Sequence, residues 1–336
     1  MIPPHGPSTT SLQLLRMTDG LIVNQALCVA ASLGIADLLC NGSRDVSELA
    51  TAVQANEQAL YRLLRFLSGQ GVFRETSSRR FANSDLSELL RSDVPGSVRR
   101  IAVFRGSPYF VSAQTGLRQA IVTGAPAHDA FERLRLNPEE AQVFDDAMTE
   151  LSAIWAPTLA RAYDFGKWGC ITDLGGGNGL LLANILRAHP GLRGVLADQA
   201  HVLERAKSCG FWDDLSDRVC FEPTDFFRWV PRGCRAYLMK NVVHDWNDEL
   251  ALEILQNCRR AVPHDGVLLL VEYSVGPENA PSLGKFVDLV MLTSTGGKER
   301  TVEEHRQLLG TAGFHLARVI PVDGNVMLLE AKPLAS

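Results

Sequence analysis

Ile171-Thr172-Asp173-Leu174-Gly175-Gly176-Gly177-Asn178-Gly179 is a short apolar run that ends in an acid and opens into four glycines. Such a run reads as a buried strand feeding a tight turn, where missing side chains let backbone approach a ligand. Leu180 to Ala188 then carries a helical pattern, so strand, loop and helix follow in order. Two phosphate-binding readings fail. A dinucleotide fingerprint needs G-x-G-x-x-G, but its last glycine falls on Leu180 or Leu182 in the two possible registers. A Walker loop needs Gly-Lys-Ser/Thr, which is absent from the run.

Downstream of the loop, strands alternate with helices. CITDLG (170–175), GVLAD (194–198), RVCFEP (218–223), AYLMKNVV (236–243) and GVLLLVEYS (266–274) are short, apolar and rich in Val, Leu or Ile. They read as buried parallel strands. Helical segments at Leu180–Ala188, Val202–Cys209 and Asp248–Ala261 lie between them, the alternation of a doubly wound α/β sheet. The end differs. HLARVIPV, the turn Asp323-Gly324-Asn325 and VMLLEAKP predict an antiparallel hairpin at the sheet edge.

Upstream the pattern is helical. Residues 12–40 are apolar around more of the helix circumference than a surface helix should be. Asp45 with Glu48 fits a capping box, and Asn56 caps a second helix, Glu57 to Ser68. Val72 to Asn83 reads as a hairpin around Thr76-Ser77-Ser78. Helix, turn, helix and a two-stranded wing make a winged-helix-like unit. Between Asn41 and Arg100 nine arginines are interspersed with seven acids. Phosphate binding needs a clustered positive face, so packing or dimerisation suits this unit better than DNA. The expected organisation is a flexible N-terminus at 1–11, a dimerisation domain at 12–100, linking helices at 101–168 and an α/β domain at 169–336.

The 336 residues suit two domains. With 46% apolar and 21% charged residues, disorder and low complexity are excluded, and a net charge of -5 gives no nucleic-acid footprint. The seven cysteines are widely spaced without CxxC pairs. They predict reduced thiols in a cytoplasmic protein, with neither a disulfide framework nor a zinc site. No signal peptide or membrane span is expected.

The loop matches Asp-x-Gly-x-Gly-x-Gly and resembles that of S-adenosyl-L-methionine (SAM) methyltransferases. SAM carries an ammonium and a sulfonium but no phosphate, which suits Asp173 and exposed loop carbonyls. Asp198, 19 residues after Gly179, closes the second strand, where an acid accepts ribose hydroxyls. A parallel sheet finished by an antiparallel hairpin is a mark of the class I (Rossmann-like) methyltransferase fold.

From about Leu12 to Lys332 the chain resembles the SAM-dependent small-molecule O-methyltransferases, of the plant caffeate and hydroxyindole and bacterial polyketide-tailoring types. LYRLLRFLSGQGVF, FDDAMTELS, TDLGGGNGLLL, TDFF, LMKNVVHDWNDE, LLLVEYSVGP and GGKERTVEEHRQLLGTAGF carry the likeness. The resemblance implies a general base at His244, flanked by Glu272 and Glu299. It implies cofactor contacts at Gly175, Gly177, Asp198, Asp225, Phe226 and Lys240, although Thr224 stands where the family usually has Gly. Phe144, Met148 and Ser152 reproduce a face at i, i+4 and i+8 that covers cofactor and substrate in the family. Phe286 and Met291, like Phe144 and Met148, read either as core or as substrate contacts.

Taken alone, His244 reads as a core or capping histidine. With two acids in matching contexts it reads as a base at the carboxyl end of a strand. The expected activity is methyl transfer from SAM to a hydroxyl of a phenolic or polyketide-like molecule, without metal. N- or C-methylation, or hydroxylation with SAM as bystander, are alternatives on the same scaffold. A SAM-sensing winged-helix regulator is a third. A homodimer through the N-terminal helices is expected, with no nucleic-acid or membrane partner.

Overall fold

A computed structural model describes residues 9–335. The chain divides into two compact units, Met1–Val111 with Gln142–Leu151, and Ser112–Ala141 with Ser152–Ser336. Of the segment expected to be flexible, residues 1–8 lie outside the described residues, and residues 9–11 begin a helix.

In the first unit, helices Thr9–Thr18 and Gly20–Ser32 precede the winged module. Strands β1 (Arg44–Asp45), β2 (Phe73–Ser77) and β3 (Arg80–Asn83) form an antiparallel sheet in the order β1-β3-β2. Helix Val46–Ala52 starts in the predicted capping box of Asp45 and Glu48, and helix Glu57–Gly69 is capped by Asn56. Its Leu60, Leu64 and Leu67 recur at helical spacing and bury one face against Phe73 and Phe81 of the hairpin. Gly20–Ser32 packs on Arg99–Gly106. A Cβ at Gly106 would meet the Cys28 side chain at 2.1 Å, so this crossing requires glycine. Along these two helices Leu12, Leu14, Leu15, Met17, Leu21, Ile22 and Val29 are exposed. Among the described residues no single helix is long and apolar enough to cross a membrane.

The second unit contains a seven-stranded sheet. Its strands are β4 (Cys170–Leu174), β5 (Arg193–Asp198), β6 (Val219–Pro223), β7 (Ala236–Lys240), β8 (Val267–Tyr273), β9 (Phe314–Pro321) and β10 (Val326–Pro333). The order is β6-β5-β4-β7-β8-β10-β9, parallel through β8 and antiparallel at β10 and β9. This is the expected methyltransferase sheet with its terminal hairpin. All seven residues of β8 are buried, which is why the run from Val267 is continuously apolar until Glu272. The strand order switches sides at β4. β5 and β6 build outward on one side, and β7 returns to the other. Ligands of open α/β sheets sit at such a switch point.

The expectation of reduced cysteines needs one correction. Cys170 and Cys234 form a disulfide. Ile171 is in register with Ala236 across the β4–β7 pair, so the fold joins cysteines 64 residues apart at the opening ends of neighbouring strands. Spacing in sequence could not show this.

Leu270 is fully buried in the middle of β8, opposite Met239 and Leu329. Leu270→Ala should cost about 2–5 kcal/mol through lost transfer energy and the cavity left behind. Urea unfolding measures it; a loss under about 1 kcal/mol would contradict a close-packed central strand.

Candidate active site

The carboxyl ends of β4, β5, β7 and β8 deliver Asp173, Asp198, Lys240 and Glu272 to one side of the sheet. The glycine loop crosses that side. Gly175, Gly177 and Gly179 adopt left-handed backbone, with φ of 68°, 58° and 81°. A side chain at Gly175 would strike Val242 at 2.8 Å, whereas the position of a Cβ at Gly177 faces open space. The Gly177 N–H donates to Asp198 Oδ2 at 2.9 Å, which docks the loop on the end of β5. Gln199 N–H donates to the other carboxylate oxygen at 2.7 Å. Each oxygen keeps acceptor capacity.

Asp173 is buried, and its Oδ2 has no hydrogen-bond partner. Burial, helped by the nearby Asp198 charge and opposed by Lys240, pushes its pKa up to about 7. Burial likewise pushes Lys240 down to about 8, against the pull of Asp173 and Glu272. Lys240 Nζ donates to Ser152 Oγ at 3.2 Å. The strand ends and loop thus gather an unsatisfied acid, a half-buried ammonium, a ribose-type acid and glycine-made space. That donor set fits SAM, which offers opposite charges and a diol to the same few residues.

Thr224 N–H donates to the Asp198 carbonyl at 2.9 Å. Its backbone is not left-handed, so threonine is accommodated where glycine was expected. Phe226 follows, its ring 3.6 Å from where a Gly175 Cβ would stand. Asp225 is exposed, accepts from Phe227 N–H at 3.1 Å and pairs with Arg228. Phe227 packs edge-on to Trp246 at 4.8 Å, and Phe131 stacks on the same indole at 5.6 Å.

After β7, Asn241 takes φ 52° and turns the chain into a 3₁₀ turn, Val243–Asp245. Asparagine is among the few side chains that tolerate this region. The turn buries His244. Its Nδ1 donates to Glu299 Oε1 at 2.6 Å, which fixes the tautomer and leaves Nε2 to act as acceptor when the ring is neutral. Nε2 lies 3.7 Å from Asp245 Oδ1, beyond hydrogen-bond reach. One ligand-type atom from each of His244, Glu272 and Glu299 lies within 4.8 Å of the others. Both oxygens of Glu272, and Oε2 of Glu299, are buried without a hydrogen-bond partner.

Burial works against a charged imidazole. The carboxylates of Asp245, Glu299 and Glu272 outweigh it and raise His244 to about 9. Burial also raises Glu272, partly offset by His244, and raises Asp245 to about 6. Asp245 is therefore part of the cluster, although the sequence reading passed over it. Its signal was adjacency to His244 in the same motif.

Phe286 and Met291 lie on helix Leu283–Ser294. Phe286 is largely exposed and Met291 half-buried. The helix is tied to the cluster, because Asp288 Oδ1 accepts from Glu299 N–H at 2.9 Å. Phe144 and Met148 belong to the first unit, in the part of helix Pro138–Ala162 that groups with it. There Phe144 packs edge-on to Phe104 at 5.7 Å and Tyr109 at 6.4 Å. Ser152 groups with the second unit, so the expected i, i+4, i+8 face is shared between the two.

An O-methyltransferase domain model matches residues 113–315, and an O-methyltransferase dimerisation domain model matches 15–93. The chain is 37% identical to phenazine O-methyltransferase PhzM of Lysobacter antibioticus, over 96% of each chain. It is 32% identical to 8-amino-8-demethylriboflavin N,N-dimethyltransferase of Streptomyces davaonensis, over 98% of each. The solved structure of CalO1, a methyltransferase in calicheamicin biosynthesis with S-adenosylhomocysteine bound, superposes with a TM-score of 0.85 at 33% identity, covering 98% of this chain and 99% of that one. The chain belongs to the SAM-dependent O-methyltransferase family and has both its methyltransferase and its dimerisation domain.

Proposed function

We propose that this enzyme methylates a hydroxyl of an aromatic or polyketide-like small molecule, with His244 as general base. The observation that carries the reading is the 2.6 Å contact of His244 Nδ1 with Glu299, which points the basicity of the ring at Nε2. Gly175, Gly177, Asp173, Asp198, Asp225, Phe226, Lys240 and Ser152 would hold SAM. When bound, SAM supplies a methyl group made electrophilic by the sulfonium charge. His244 Nε2 takes the acceptor's proton, so that an O–H bond breaks as an N–H bond forms and the oxygen becomes the nucleophile. Glu299 stabilises the imidazolium that results. Glu272, whose proton affinity is raised by burial, stands beside the ring as a second orienting group. Most of the rate comes from alignment of the reactants, with the base adding a smaller factor. Phe286 and Met291 would line the acceptor site in the second unit.

No metal enters this reading, because Glu299 already engages Nδ1. The enzyme is read as a cytoplasmic homodimer joined through the exposed apolar side of its N-terminal helices, with no nucleic-acid or membrane partner. The dimerisation domain match supports the dimer. Likeness to an N,N-dimethyltransferase keeps an amine acceptor as a second reading. Product mass with labelled SAM separates O- from N-methylation.

His244→Ala should bind SAM normally and turn over phenols at least about 100-fold more slowly. Full activity in this variant would remove His244 from the base role. EDTA should leave the rate unchanged, and strong inhibition would point to a required cation.

A folded-state pKa raised to about 9 keeps the free enzyme's imidazole charged at neutral pH. Only the neutral ring accepts a proton. Acceptor kcat/KM should therefore rise roughly tenfold per pH unit below that value and level off above it. A profile flat from about pH 6 to 9 would contradict a base with this titration. Light scattering at micromolar concentration should report twice the 36.7 kDa chain mass, and a monomer would refute the dimer.

A further inference from the structure

The proposed function uses only Glu299 from the run Gly296-Gly297-Lys298-Glu299-Arg300. Its neighbours take up specific places around the His244 turn. Gly296 is left-handed, with φ 78°. A Cβ on Gly297 would lie 2.0 Å from the His244 carbonyl oxygen and 2.4 Å from the Asp245 carbonyl carbon. Backbone therefore runs directly against backbone, which only glycine permits.

Arg300 is 1% exposed and heads the largest fully buried side chains. Its Nη1 donates to the Val243 carbonyl at 3.0 Å, and its Nη2 to the Trp246 carbonyl at 2.8 Å. Those two carbonyls bracket His244 and Asp245 in the chain. Nε donates to Asp248 Oδ1 at 3.0 Å, Nη2 lies 2.9 Å from the same oxygen, and Nη1 makes a longer contact to the Lys298 carbonyl at 3.4 Å. Burying a guanidinium is costly unless its donors are satisfied. Asp248 is 60% exposed, a weak counter-ion. The carbonyls of the histidine turn are thus major partners of the buried cation. A planar fork can reach both of them at once, and an ammonium cannot.

We infer that Arg300, with Gly297, is a positioning residue that locks the His244 turn onto the Glu299 loop and so preforms the Nδ1–Oε1 hydrogen bond. Glu299 has its own tether, the Asp288 bond to its N–H. Loss of Arg300 therefore frees the histidine side of the contact rather than the glutamate side. The inference rests on His244 being the base, but its test separates the two ideas.

A hydrogen bond of this length between imidazole and carboxylate gives a far-downfield proton resonance, which needs no acceptor molecule to observe. The dimeric enzyme, Arg300→Lys, Gly297→Ala and His244→Ala would be compared by proton NMR. S-adenosylhomocysteine affinity and circular dichroism would confirm folding. The resonance should be present in the wild type, absent in His244→Ala, and shifted or lost in the other two, with nucleoside affinity within about threefold. In single-turnover assays with a phenol that the wild type methylates, each positioning variant should lose about 100-fold, as for an ångström-scale misplacement. Neither should lose more when combined with His244→Ala, because residues acting through one group are not additive. An unchanged resonance, its absence in the wild type, or losses that add to that of His244→Ala would each overturn the inference. If Arg300→Lys does not fold, Gly297→Ala decides by the same readouts. Full activity in His244→Ala would instead sink the base assignment, whatever the resonance shows.

Discussion

The hydrogen bond between His244 Nδ1 and Glu299 Oε1 joins segments 55 residues apart, one after β7 and the other after helix Leu283–Ser294. Both groups are buried, so the contact is electrostatically strong and its loss would strand a charge in a poorly solvating place. Much of the surrounding structure bears on it. Asn241 starts the turn, Gly297 lets the loops touch, and Asp288 fixes the glutamate backbone. The switch in strand order places β7, and β8 beyond it, next to β4 and its glycine loop.

Two charge groups share this side of the sheet and are built differently. Asp173 and Lys240 are oppositely charged and both pulled toward neutrality by burial, which leaves them responsive to any charge placed between them. His244 instead faces three carboxyl groups, and their sum overrides the cost of burying its proton. The first group suits recognition of a zwitterion. The second suits holding and releasing a single proton. Lys240 is coupled to Glu272 as well as Asp173, so the two are not electrically independent.

The sheet was legible because its strands are uninterrupted apolar runs, and the winged module because its helices carry sharp caps at Asp45 and Asn56. Asp173, Gly175, Gly177 and Asp198 were legible as positions because one βαβ unit fixes them locally. Glu272 and Glu299 came from motifs, and the fold supplies the proximity that spacing alone could not. What escaped depends on three-dimensional neighbours. Cys170 and Cys234 meet only because β7 returns to β4. Arg300 was not singled out, since sequence does not reveal that its donors face carbonyls across a loop. Asp245 was in plain view, but residue order does not give the 3.7 Å to Nε2.

Helix Pro138–Ala162 is divided between the two units, with Gln142–Leu151 grouping with the first and Ser152 onward with the second. The structural boundary is therefore crossed three times along the chain. A genetic exchange that grafted another N-terminal module at one junction would carry over residues up to Val111 but keep the resident 142–151. Recombination between relatives would have to transfer both pieces together, or select compensating changes where Phe144 meets Phe104 and Tyr109. Gln142–Leu151 is thus tied to the first unit's history although its neighbours along the chain belong to the second.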